Sequence, residues 1–123
     1  MTDRERAKML SDAACRLVKR GWCQDSYYSD MRYDKCLTIS EAMTMAKDSK
    51  LRGHLVCCAL GAIKVAQRLV LNKGDRKPLD MLMDKLESMV DDHNMIQYND
   101  SSHRRKSEVV ALFEEASKQL SPN

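Results

Sequence analysis

The chain has 123 residues, 43% hydrophobic and 32% charged, with a net charge of +3. That balance excludes a disordered chain and fits one domain over residues 1–123 with a small real core. Four glycines and two prolines are too few punctuators for a many-stranded sandwich, and a charge of +3 permits nucleic-acid binding without arguing for it.

The five cysteines form no CxxC pair, and Cys57 and Cys58 are neighbours. The N-terminus, MTDRERAKML, is charged throughout and carries no visible signal peptide. Together these point to reduced thiols in a cytoplasmic protein.

Residues 3–20 read as an amphipathic helix, with Ala7, Leu10, Ala14, Leu17 and Val18 on one face. Thr2 and Glu5 have capping-box spacing, and Gly21 follows the last turn. The basic residues Arg4, Arg6, Lys8, Arg16, Lys19 and Arg20 read most simply as a solvated face. Residues 22–36 show no periodicity and read as a loop, yet they hold Trp22, Tyr27, Tyr28 and Tyr33. Such aromatics either fold back over the core or form a recognition surface. A short helix is expected over 38–49, with Thr38 and Glu41 as a second capping box.

Residues 54–71, HLVCCALGAIKVAQRLVL, form the longest apolar run and are expected to be the buried central helix. Lys64, Gln67 and Arg68 interrupt the run, which argues against a membrane span. Ala59, Gly61 and Ala62 suggest close approach of another backbone, because a helical glycine costs about 1 kcal/mol relative to alanine. A polar turn follows at 72–78, where Gly74 suits a helix end and Pro78 a first turn. Leu79, Leu82, Met83, Leu86, Met89 and Val90 give a clean helical stripe that residues 91–94 break. Ile96 and Tyr98 suggest a short extended piece. A basic loop, 101–106, leads to a last helix over 107–120, with Ser102 or Ser107 as its cap and a frayed end at Pro122 and Asn123. The sum is an all-α bundle of four to five helices around the central one.

Three pieces carry a resemblance. They are Gly21-Trp22-Cys23-Gln24, Cys58-Ala59-Leu60-Gly61-Ala62-Ile63, and Tyr98-Asn99-Asp100 ahead of a helix containing Glu108 to Phe113. In order and spacing this resembles the bacterial and phage family called domain of unknown function 6197. Its members typically read GW-x-Q, then C-A-L-G-A-L, then W-N-D. Tyr98 stands where tryptophan is commoner and Ile63 where leucine is, and residues 25–50 are longer and more polar than in many members. The resemblance covers roughly residues 10–120. It implies a compact helical domain of bacteria or their phages, by analogy an accessory or anti-defence protein, and assigns no catalytic residue.

Candidate chemistry is sparse. Cys58, near a helix start, would be a nucleophile if His54, His93 or His103 served as base and Asn99 or Asp100 oriented it. A buried cysteine acting as a small hydrophobe is the simpler reading. Cys23, Cys36, Cys57 and Cys58 lack the paired spacing of a zinc site, so no metal or cofactor is expected. Asn99 and Asp100 either make a turn or, with Trp22 and Gln24, line a polar pocket. The second reading requires segments 22–28 and 98–100 to be adjacent. The loop His103-Arg104-Arg105-Lys106 would meet nucleic acid only if Lys73, Arg76 and Lys77 shared its face.

The leading expectation is a non-enzymatic module that binds a protein partner. Its contact residues would be Trp22, Gln24, Tyr27, Tyr28, Tyr98, Asn99 and Asp100, over a pocket floor of Cys58 and Gly61. The alternatives are a small-molecule or nucleotide binder (or weak enzyme) using that pocket, and a nucleic-acid binder using the basic loops. No membrane association is expected, and a homodimer is compatible with so small a Met-rich chain.

Overall fold

A computed structural model describes residues 1–72, 74–91 and 94–121. Lys73 and His93, named above as cation and base, and the end at Pro122 and Asn123 lie outside the described residues. Helix α1 spans Asp3–Arg20 and starts at the expected capping box: Thr2 accepts from the Glu5 N–H, and Glu5 accepts from the Thr2 N–H. This helix, rather than the 54–71 run, is the one the others gather around. It packs on α3 (Ala59–Val70), α4 (Arg76–Met89) and α6 (Lys106–Leu120). The reason is steric: Ala7, Ser11, Ala13 and Ala14 are all buried and small, so three helix backbones approach closely.

Helices α1 and α6 run antiparallel. Ser117 donates to the Ser11 hydroxyl at 2.8 Å, which donates to the Phe113 carbonyl at 3.0 Å, so the buried hydroxyls are satisfied in relay. Arg4 donates to the carbonyls of Leu120 and Gln119 at 3.0 and 2.6 Å. It therefore satisfies and neutralises the C-terminal end of α6 from an exposed position.

The 54–71 run is not one helix. Arg52–His54 is a short 3-10 turn, Leu55–Cys57 is strand β3, and α3 begins only after Cys58. Leu55 and Cys57 point inward and Val56 outward, a period of two inside a run with no polar residue to reveal it. The 22–36 segment holds the partners: β1 (Tyr28–Asp30) and β2 (Lys35–Cys36) form a hairpin, and the sheet order is β2-β1-β3. Both pairings are antiparallel, with Ser29 opposite Cys36 on one side and Val56 on the other. The fold is thus mostly helical, with a three-stranded antiparallel sheet that the all-α expectation omits. At the hairpin turn Arg32 grips the Asp30 carboxylate with two side-chain bonds, at 3.1 and 2.8 Å. Arg32 thereby holds that carboxyl below its usual range. The clamp's stabilisation is present at neutral pH and is lost as pH falls through the lowered value.

Helix α2 (Ile39–Lys47) starts at the expected Thr38–Glu41 box. Helix α5 (Met95–Asp100) replaces the expected extended piece, because Asn94 caps it by accepting from the N–H groups of Ile96 and Gln97. Met95 and Asn99, one turn apart, are its buried residues. Helix α6 is capped at Arg105 rather than at either serine, and the Arg105 N–H donates to Glu108 at 2.8 Å. Helix α3 ends at Leu71 in extended backbone, so Gly74 is not its cap. No helix among the described residues is long and apolar enough to cross a membrane.

Two glycines are required by close approach. Gly21 has extended backbone, φ −173°, and a Cβ there would lie 2.7 Å from Val56 Cγ1 and 2.8 Å from the Leu55 carbonyl oxygen. At Gly61 a Cβ would fall on the Tyr27 carbonyl, which accepts the Cys58 N–H at 3.1 Å. Gly61→Ala must therefore push the hairpin off α3, and a loss of about 1–3 kcal/mol outweighs alanine's better helix propensity. Gly53→Ala, with nothing within 4 Å, should change stability by less than about 0.5 kcal/mol. Denaturant melts of the two variants check both values.

Candidate functional site

The first turn of α3, the start of the hairpin segment and the end of α5 meet at Asn99, which is 1% exposed. Its Oδ1 accepts from Trp22 Nε1 at 2.7 Å and from the Ala59 N–H at 2.9 Å. Its Nδ2 donates to the Cys23 carbonyl at 3.1 Å and to Asp100 Oδ1 at 2.9 Å. A carboxamide offers two lone pairs and two N–H groups, and all four are used. Around it, Gln24 Nε2 donates to the carbonyls of Asn99 and Ser101, and the Asp25 N–H donates to Asp100 Oδ1. The structure thus brings Trp22, Gln24, Asn99 and Asp100 together. Asn99 is spent on holding the segments, with no bonding capacity left for a ligand.

Beside this knot lies a cleft of about 360 Å3. Tyr28, Leu37, Cys58 and Cys36 contribute apolar surface. Tyr27 and Ile96 stand at it, 42% and 44% exposed. Asp25 and Asp100 place two carboxylates on the same wall. Asp25 has φ 66°, in the left-handed region that aspartate tolerates better than most residues. Tyr27 is held by Lys64, whose ammonium lies 4.2 Å from the ring centroid. Tyr28 is core, 5% exposed, and burial pushes its hydroxyl up to about 12. Trp22 and Gln24 line a second cleft of about 480 Å3 on the side of Asp30 and Val56. At Gly61 the Tyr27 carbonyl fills the space that a pocket floor would need.

Cys58 is the N-cap of α3: its sulfur accepts from the Gly61 N–H at 3.2 Å. Burial raises its pKa, opposed by the N–H groups of Gly61 and Leu60, so the thiol is protonated at neutral pH. Burial also pushes Cys23 up to about 11 and raises Cys57 further. His54, the candidate base nearest in sequence, is not one helical turn from Cys58, because the chain between them is strand β3. His103 sits in a left-handed turn, φ 69°. The cysteines are free thiols, and among the described residues no three His, Cys, Asp or Glu side chains converge as a metal site.

The basic loop is partly consumed by the fold. Arg104 stacks 3.8 Å from the Tyr98 ring centroid, donates to the Tyr98 carbonyl at 2.8 Å and approaches Glu108 at 3.4 Å. Tyr98 donates to the Glu108 carbonyl at 3.4 Å, so this pair builds the corner between α5 and α6. Sequence reasoning missed Asp25, Leu37 and Ile96 as cleft residues. Ile96 stands exposed beside Met95, which takes the buried face of α5.

The sequence model of a family of unknown function, DUF6197, matches residues 1–119. The chain belongs to that family. No curated protein and no solved structure matches it. The three segments that carry the resemblance are neighbours in space: Trp22 and Gln24, the start of α3, and Asn99 with Asp100 are joined by the bonds given above.

Asn99→Leu strands the Trp22 and Ala59 N–H groups and the Cys23 carbonyl, and should cost about 3 kcal/mol or more in a denaturant melt. Asn99→Asp places a buried carboxyl against the Cys23 and Asp100 oxygens. Burial and those oxygens outweigh the two remaining donors, so the carboxyl's folded pKa is raised. Its stability should be highest below the unfolded value of about 4 and fall as pH rises toward about 7. In native protein a thiol reagent should modify exposed Cys36 quickly and the buried Cys57 and Cys58 only on unfolding; Cys36→Ser should remove the fast phase.

Proposed function

We propose that this chain is a non-enzymatic protein-interaction module of a bacterial or phage cytoplasm. Its cleft would seat one bulky apolar side chain of a partner peptide, with a neighbouring Lys or Arg of that peptide on Asp25 and Asp100. The observation that carries the reading is the composition of the cleft: exposed Tyr27 and Ile96 beside an apolar floor and two carboxylates. Exposed aromatic and aliphatic anchors around a small apolar hollow are what interface hot spots use. A volume near 360 Å3 suits one or two side chains and lies at the small end for a cofactor. The acids supply charge complementarity, which sets specificity and association rate. A protonated Cys58, spent as a helix cap, favours binding over nucleophilic chemistry. Free thiols fit a reducing compartment.

The test is selection from a displayed random-peptide library, followed by affinity measurement on the winning peptide. Selected sequences should pair a large apolar residue with Lys or Arg. Tyr27→Ala should weaken binding roughly tenfold, about 1.4 kcal/mol, and Asp25→Asn should weaken it more at low salt than at high salt. Both side chains are exposed, so the melting temperature should hold. Absence of any consensus, or unchanged affinity in both variants, rejects the reading.

A further inference from the structure

A further concave surface lies at the other end of α3. Cys58 to Arg68 is ten helical steps, roughly 15 Å along the axis. Here the C-terminal half of α3, the outer face of α2 and the first turn of α4 enclose a groove of about 490 Å3. Three cations converge on it from three different elements: Lys47 from the end of α2, Arg68 from α3 and Arg76 from the start of α4. Among the described residues no Asp or Glu lines the groove. Among the described residues none of the three cations has an ion-pair partner, whereas Lys8, Lys19, Arg32, Lys35 and Arg104 each meet a carboxylate. Asp75, next to Arg76, accepts from the Asn72 N–H, and Asp48, next to Lys47, accepts from the Lys50 N–H. Ser40 and Gln67 supply uncharged polar groups, and Leu71 and Leu79 an apolar wall.

We propose that this groove binds a phosphorylated small molecule of nucleotide size, a nucleoside diphosphate or a compound of like chemistry. Three like charges gathered in one concavity repel one another, and a polyanion relieves that repulsion. Two guanidinium groups offer the planar forks that match phosphate oxygens in pairs, and the lysine adds a point charge. The apolar wall accounts for an organic body beyond the phosphates, and the volume lies within the range of small-molecule sites. This site is separate from the Tyr27 cleft and does not depend on the peptide reading.

Calorimetric titration of the purified chain with adenosine diphosphate, and separately with inorganic pyrophosphate, tests the proposal. At low salt both probes should saturate one site, the nucleotide more tightly. The double variant Arg68→Gln/Arg76→Gln should weaken binding by roughly a hundredfold, about tenfold per arginine, with a melting temperature no lower than the parent's. Arg16→Gln/Arg20→Gln, on the exposed face of α1, should bind as the parent does. The proposal is overturned if neither probe saturates or if the groove variant binds as tightly as the parent. It also fails if pyrophosphate binds more tightly than the nucleotide, or if a single-stranded oligonucleotide binds where both small probes do not.

Discussion

One side-chain amide governs the arrangement of this protein's least regular part. Asn99 has four hydrogen-bonding positions and uses each on a different group: the Trp22 ring, the Cys23 backbone, the first N–H of α3 and the neighbouring Asp100. A sheet of strands two or three residues long has too few ladder bonds to hold its own place. Asn99 and the Tyr27–Cys58 backbone bond supply the missing constraint from outside the sheet. Packing then follows. The hairpin sits on Gly61, Gly21 sits on Val56, and the remaining helices close around α1.

Much of the helical framework was legible in the residues. The Thr2–Glu5 and Thr38–Glu41 boxes mark two helix starts by local chemistry alone, and the α4 and α6 stripes are strong enough to survive any context. Strand β3 was not legible, because its outward residue, Val56, is apolar too and hides the alternation. The hairpin was not legible either, since its strands are shorter than any periodic window. The central role of α1 was hidden for a different reason. It rests on small residues that score as weakly hydrophobic but let three backbones come near. The 54–71 run looked more central because hydropathy counts large side chains, while packing distance depends on small ones.

At the candidate site the sequence placed the right segments side by side without separating the groups that hold them together from those left exposed. Trp22, Gln24, Asn99 and Asp100 do meet. Asn99 and Tyr28 are buried structural groups, and Gly61 makes room for a carbonyl rather than for a ligand. The surfaces with capacity to spare are elsewhere: Tyr27, Ile96 and Asp25 at one end of α3, Lys47, Arg68 and Arg76 at the other. That division follows the helix dipole, with carboxylates near its positive end and a guanidinium near its negative end.

The Asn99 bonds have a kinetic consequence. They join residues 40, 76 and 77 positions apart in the chain. Each of these bonds can form only after the chain has closed a loop of that length, at a cost in conformational entropy. To the extent that the amide locks late, weakening it accelerates unfolding more than it slows folding, and Asn99 then sets the lifetime of the native state more than the speed of reaching it.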